Sequence, residues 1–375
     1  MSNELEHQMA EEFRRRGAWM GGSALRRGRR WGAALAVMAL ATVLLSACGD
    51  SGTNSAVAVT GEGADGGGTR KVTVVLDWTP NTNHSGLYLA LAKGFYADAG
   101  LEVELIEPDA NGGLAQLAAG NAQFAVTSAE YLLPARAEGA DVVSVAAILA
   151  HNTSSLVIPA DRGVKTAKDL EGKTYGGFGG PLEKALLDTM VSCAGGDPAK
   201  VNHVEVGNVD YRIGLDSKDY DAVWVFDGWD VIRLRDLEGM DITTLPFYGA
   251  GDASCVPDWY TPLLASSAEV AKEDPQLVQD FLAATAAGYE LARTDPAEAA
   301  KALLAAAPEL DAELVNRSAV FLADKYGDRN QPWGVQDADN WTTFAAFLVD
   351  AGLLKASVQP QEAFSNEFLP KADGS

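Results

Sequence analysis

The sequence predicts an α/β protein of two lobes, with parallel sheets and a helical extension at its C-terminal end. Three observations carry this. Short β-branched runs alternate with helical patterns from residue 71 onward, the alternation stops near residue 160 and then restarts, and from Glu269 the chain turns Ala-rich and helical. Strands that alternate with helices are joined by crossovers, which build a parallel sheet covered on both faces. A return of the chain near residue 260 makes the first lobe discontinuous, 71–160 and 260–375, with 161–259 inserted as the second lobe.

The elements follow from the periods. Val72–Leu76 is an apolar strand, Leu87–Ala99 a helix, Leu101–Ile106 an alternating strand and Gly113–Ala119 a short helix. Gln123–Val126 reads as strand, Glu130–Ala137 as helix and Val142–Ala150 as strand. After Asp161-Arg162-Gly163 come strand Lys173–Gly176, helix Leu182–Cys193, strand His203–Val206, a helical piece Ile213–Ser217 and strand Ala222–Phe226. The tail holds helices Gln276–Thr294, Pro296–Ala306, Asp311–Ala323 and Asp337–Ala351. With no comparable strands of its own, that tail is expected to pack onto an existing lobe.

Residues 1–48 read as an address. Seven arginines precede the run WGAALAVMALATVLLSA, which ends in Leu45-Ser46-Ala47-Cys48. A basic segment, an apolar core and small residues before the cut make a secretory signal peptide. LSAC is similar to a bacterial lipobox, which would make Cys48 an acylated N-terminus; the alternative is a plain signal peptide. Residues 49–70 are rich in Gly, Ser, Thr and Ala, as a flexible tether is. Glu4, Glu6, Glu11 and Glu12 are foreign to such a leader, so translation can also begin at Met20 rather than Met1.

Removing residues 1–48 takes away 7 of the 29 basic and 4 of the 52 acidic side chains, leaving 22 against 48, a body of about −26. That charge argues against nucleic-acid partners. Cys193 and Cys255 remain and can pair in an oxidising compartment. Four histidines, with no CxxC or HExxH spacing, give no metal-site pattern, and nothing in the sequence calls for a cofactor.

In open α/β sheets, ligands settle outside the carboxyl ends of strands. The unusual residues fall there: LDWTPNTNHSG after the first strand, TSAEY (Thr127–Tyr131) after the third and HNTSS (His151–Ser155) after the fourth. YGGFGGPLE (Tyr175–Glu183) and FDGWD (Phe226–Asp230) follow strands of the second lobe. Trp78 is either a core aromatic or a platform on which a flat ring stacks. Asn81, Asn83 and His84 either cap the next helix or offer donors and acceptors to a ligand. Tyr88, Ser128, Glu130 and Asn152 complete the contacts expected from the first lobe. Tyr175, Phe178, Glu183, Phe226, Asp227 and Trp229 supply those of the second. Glu183 either favours the helix N-terminus or accepts from an amino group. One of Phe226 and Trp229 is expected in the core, as is Trp224.

The segment VTVVLDWTPNTNHSGLYLALAKGFYADAGLEVELIEP resembles the opening of the NMT1/THI5-like family of solute-binding proteins. Weaker matches run through DLEGKTYGGFGGPLEKAL, VWVFDGWD and DPQLVQDFLAATAAGYELARTDPAEAAKALL, so that the resemblance covers roughly residues 71–355. It implies the type II periplasmic-binding-protein-like fold, a monomer working with the permease and ATPase of an ABC importer, and a ligand among the thiamine pyrimidine precursors. Riboflavin or a sulfonate- or nitrate-type solute are the alternatives. The family's pyrimidine-synthase branch carries a pyridoxal-phosphate lysine and a histidine in the loop matching VTSAEYLL, where Thr127 and Tyr131 stand here. It also carries a cysteine-rich iron motif where VPDWY (Val256–Tyr260) stands. A Schiff base needs a primary amine, so the resemblance implies a receptor rather than an enzyme.

Overall fold

The structure is a computed structural model that describes residues 69–109, 112–207, 209–249, 255–328, 330–355 and 357–371. Cys48 and the apolar run before it lie outside the described residues. Among the described residues no helix is long and apolar enough to cross a membrane.

Among the described residues ten strands form two five-stranded sheets. The first contains β1 (Arg70–Val75), β2 (Leu101–Ile106), β3 (Phe124–Thr127), β4 (Val142–Ala147) and β10 (Leu263–Ser267), in the order β2-β1-β3-β10-β4. The second contains β5 (Ser154–Pro159), β6 (Thr174–Gly177), β7 (Asn202–Glu205), β8 (Ala222–Phe226) and β9 (Ile242–Pro246), in the order β7-β6-β8-β5-β9. β1 pairs parallel with β2 and β3, and β6 with β7 and β8, as the alternation predicts.

The sheets are not wholly parallel. β10 runs antiparallel to β3 and β4, and β5 antiparallel to β8 and β9. Each antiparallel strand is the one that has just arrived from the other sheet. Periodicity missed β5, β9 and β10, because short runs such as LLASS carry no period of their own. β5 precedes residue 160 and already pairs in the second sheet, so the first passage between sheets lies at 148–153 and the second at 247–262. The two passages touch: the Ile148 N–H donates to the Pro262 carbonyl at 3.1 Å.

The helix expected over Leu87–Ala99 breaks at Gly94, whose φ of 76° is left-handed, into α1 (Ser85–Ala92) and α2 (Phe95–Asp98). α3 (Gly112–Ala118), α4 (Ala129–Ala137), α5 (Pro181–Cys193) and α6 (Tyr211–Ser217) are the crossover helices. FDGWD, read as a loop, opens an unpredicted π-helix, Asp227–Leu237. The tail folds as α7 (Ala268–Glu273), α8 (Pro275–Thr294), α9 (Pro296–Ala306), α10 (Ala312–Ala323) and α11 (Ala338–Asp350). Its boundaries are written in the sequence. Asp274, Asp295 and Asp311 each accept the N–H three residues on, at 2.9, 3.1 and 2.8 Å, and Pro275 and Pro296 fill first-turn positions that need no N–H.

The tail packs on the first sheet. Phe281 of α8 stacks on Phe124 of β3 at 3.9 Å, and α10 buries Val315, Ala319 and Leu322 in the same core. α1 and α8 cross closely, because Gly86 lies beneath the Tyr289 ring and Gly288 against the Gly86 carbonyl. A Cβ at position 288 would sit 2.1 Å from that oxygen. Gly86, the last residue of LDWTPNTNHSG, is thus a packing glycine. A second core joins the sheets, running from Val75, Ala125 and Leu132 through Leu156, Leu186 and Ala222 to Trp259 and Trp341. Cys193 at the end of α5 is disulfide-bonded to Cys255 on the second passage, with Cα atoms 6.1 Å apart.

Candidate ligand-binding site

LDWTPNTNHSG leaves the carboxyl end of β1 and folds back on itself through its own side chains. Asn81 Oδ1 accepts the Asn83 N–H at 2.9 Å, and its Nδ2 donates to the Thr79 carbonyl at 3.0 Å. The Asn81 N–H points at His84 Nδ1, 3.3 Å away, so that nitrogen is the acceptor and the ring proton is assigned to Nε2, 2.7 Å from Asp77 Oδ1. His84 is wholly enclosed, with both nitrogens engaged. It braces the turn in a capping box with Asn81, one of the two roles expected for it. Asn81 likewise organises the turn. What these bonds aim outward is Asp77, a half-buried carboxylate. Trp78 and Asn83 are half-buried beside it.

The loop is pinned from behind. The Tyr289 hydroxyl donates to the Asn83 carbonyl at 2.8 Å, and the Tyr326 hydroxyl donates to the Thr82 carbonyl. The Thr82 hydroxyl meets that of Ser318 on α10, and Ser318 donates to the carbonyl of Gly228 on the π-helix. This chain ties the first sheet's loop to the second sheet through a tail helix.

Ser128 is buried at the start of α4, yet its hydroxyl makes no cap, and Glu130 Oε2 is shielded in the first turn. Tyr88 departs from expectation: it is packed in the first core, where burial, then Glu107 and Glu309, push its hydroxyl up to about 12. Asn152, on the first passage, accepts the Ser154 N–H and hydroxyl with Oδ1, each at 2.7 Å, while its buried Nδ2 has no partner among the described residues.

In the second lobe, Glu183 accepts the Phe178 and Gly179 N–H groups at 3.2 and 3.1 Å. Tyr175 lies in the second core beside it. Glu183 thus holds the glycine loop, and burial raises the Tyr175 hydroxyl well above its ordinary range. Phe178 stays half-buried on the loop. Phe226 is 41% exposed, while Trp229 packs against the first core. Trp224 lies at the edge of the second core, edge-on to Trp259 at 6.2 Å.

Asp227 is the unusual group. Burial pushes its carboxyl up to about 6, against the Ser155 hydroxyl, Arg235 and Lys325, which favour the charge. Its Oδ1 is buried without a partner among the described residues. The Asp227 N–H donates to the Thr153 carbonyl at 2.9 Å, so Asp227 and Asn152 stand at one end of the β5–β8 pair. Asn152 Nδ2 and Asp227 Oδ1, each buried without a partner among the described residues, thus belong to neighbouring residues at this end of the pair. Unpaired buried polar atoms are rare and costly. Among the described residues no group of three or more His, Cys, Asp or Glu side chains could hold a metal ion. An open groove of about 500 Å³ between the π-helix and α10 is lined by Arg235, Asn316 and Arg317 and lies away from the strand ends.

Two sheets in the orders β2-β1-β3-β10-β4 and β7-β6-β8-β5-β9, exchanging strands through two passages, define a type II periplasmic-binding-protein-like fold. The alkanesulfonate-binding protein SsuA from Xanthomonas axonopodis pv. citri superposes with a TM-score of 0.58 at 18% identity, covering 80% of this chain and 99% of that one. The chain belongs to the NMT1/THI5-like family, which matches residues 81–299. It is 30% identical over 305 residues to the formylaminopyrimidine-binding protein of Halalkalibacterium halodurans, spanning 79% of this chain and 89% of that protein. It is 24% identical over 306 residues to the 4-amino-5-hydroxymethyl-2-methylpyrimidine phosphate synthase of Legionella pneumophila, spanning 80% and 92%.

Proposed function

We propose that this protein is the non-catalytic solute-binding component of an ABC importer, tethered outside the membrane through Cys48, and that it captures a small flat nitrogen heterocycle of the thiamine-pyrimidine-precursor type. The observation that carries this reading is that Asn152 Nδ2, a donor, and Asp227 Oδ1, an acceptor, are both buried without a partner among the described residues at one end of the β5–β8 pair. An aminopyrimidine presents a ring nitrogen that accepts beside an exocyclic amine that donates, which is the complementary edge. A sulfonate or nitrate offers acceptors only and would face the Asp227 carboxylate unfavourably. The half-buried Trp78 and Phe178 and the exposed Phe226 offer aromatic faces at the carboxyl ends of β1, β6 and β8.

The formylaminopyrimidine-binding relative supports the same ligand class. The synthase relative makes catalysis the competing reading. Against it, the strand-end loops carry no lysine for a Schiff base apart from Lys184, which is occupied by Asp188 at 2.5 Å. In this reading the permease and ATPase are the partners, the receptor acts as a monomer, and the sheets close as two lobes around the solute. Mass spectrometry of small molecules carried through native purification tests it: a pyrimidine is expected, whereas recovery of only an anionic sulfonate would displace the proposal. Measurable product on incubation of the ligand with added pyridoxal phosphate or iron would replace the receptor with an enzyme.

A further inference from the structure

The two passages between the sheets meet at a single histidine. His151 lies on the first passage, with Nδ1 2.6 Å from Asp258 Oδ2 and Nε2 3.3 Å from Asp328 Oδ1. Asp258 belongs to the second passage, and Asp328 follows α10 in the tail. The imidazole stacks on Tyr248, where the second passage begins, with centroids 4.5 Å apart and planes 8° from parallel. Carboxylates only accept, so an imidazole between two of them keeps both bonds only as the doubly protonated cation.

Asp258 does more than hold the ring. Its Oδ1 accepts the Asn152 N–H at 2.9 Å, and its Oδ2 accepts Asn340 Nδ2 from α11 at 3.2 Å. The carboxylate that grips His151 therefore also fixes the backbone of Asn152, the orphan donor of the candidate site.

We infer that His151 is a proton-operated latch and a positioning residue: as a cation it ties both passages to the tail and holds Asn152 in place, and on losing its proton it gives up one of its two carboxylates. Asp258, Asp328 and Tyr248 face the ring directly. Tyr260 stands behind the two carboxylates, and Lys325 neighbours the passage through its carbonyl, which accepts the Ala150 N–H at 2.9 Å. Burial, Asp258 and Asp328 push the Tyr248 hydroxyl upward, and Tyr260 is pushed up to about 12, so neither titrates near neutrality. The hydrogen bond from Asp258 raises the His151 pKa despite partial burial. The latch is then complete below the ordinary histidine value of about 6.5 and opens as the pH rises through the elevated value in the fold.

The test reads the ligand-free protein first, so it stands apart from the pyrimidine reading. NMR titration of the His151 ring should give a midpoint above about 6.5. From about pH 6 to about pH 9 the radius of gyration should rise and Tm should fall, and His151→Gln should flatten both profiles. Asp328→Asn removes one exposed carboxylate without touching Asn152 and should shrink the same changes. Relative to His151→Gln at each pH, a comparison in which the ionisation of Asp227 cancels, wild-type affinity for 4-amino-5-hydroxymethyl-2-methylpyrimidine should fall roughly threefold over that range, the size expected of a half-exposed ion pair. A His151 midpoint at or below the ordinary value overturns the latch, as do identical pH profiles for wild type and His151→Gln.

Discussion

His84 Nε2 lies 2.7 Å from Asp77 Oδ1, and the imidazole is wholly enclosed while the carboxylate remains one-third exposed. The buried member of the pair fixes the direction of the exposed one. Its second nitrogen accepts the Asn81 N–H, so a single ring organises both ends of the WTPN turn.

Replacing that ring should therefore cost stability before it costs recognition. His84→Ala leaves the Asn81 N–H and an Asp77 oxygen without partners and opens a cavity. A loss of about 2–3 kcal/mol is expected from the denaturant midpoint. An unchanged midpoint would show that the brace contributes nothing.

Asp227 should make stability pH-dependent in the acid range. Its folded pKa of about 6 lies above the ordinary 3.8, so the folded state binds the extra proton. Stability from this group is complete below about 3.8 and declines as the pH climbs through about 6, by on the order of 2–3 kcal/mol. Asp227→Asn should remove that slope and stabilise the ligand-free protein at neutral pH. In the wild type, affinity for an amine-donating ligand should rise as Asp227 ionises, and calorimetry at two pH values on either side of 6 reads it.

The Cys193–Cys255 bridge closes 62 residues of the second lobe. Cys193→Ser with Cys255→Ser should lower stability by about 2–4 kcal/mol through the entropy of the unfolded chain. Thermal unfolding with and without reductant measures this, and equal Tm values would contradict it.

Gly288→Ala tests the close crossing of α1 and α8. The added Cβ would meet the Gly86 carbonyl at 2.1 Å, so the helices must part. A cost of about 1–3 kcal/mol is expected from overpacking, together with weakened ligand binding, because α1 carries the LDWTPNTNHSG loop. Retention of both stability and affinity would show that the helices part freely.

The parallel strands, the tail helices and the loops at the strand ends were legible in the sequence because local pattern writes them: β-branched runs for β1 and β4, and Asp-Pro pairs at the starts of α8 and α9. The antiparallel strands β5 and β10 were not, since their partners are remote in the chain and neither run alternates. Nor does sequence say which polar residue is used up inside the protein. His84, Tyr175 and Glu183 have the chemistry of ligand contacts, and the fold engages them with Asp77, the second core and the glycine loop. Asn152 and Asp227 became distinctive only once their unpartnered atoms were seen together. His151, read as part of the HNTSS loop, took its meaning from Asp258 and Asp328, more than 100 residues away.

In the proposed function, Asn152 and Asp227 receive a small nitrogen heterocycle. Calorimetric titration of the purified, ligand-stripped protein with formylaminopyrimidine, riboflavin and an alkanesulfonate tests it most directly. Saturable binding of the pyrimidine, lowered at least about tenfold in Asp227→Ala and absent for the sulfonate, is the predicted result. Binding of the sulfonate or of riboflavin in preference to the pyrimidine, or pyrimidine affinity indifferent to Asp227→Ala, would contradict it.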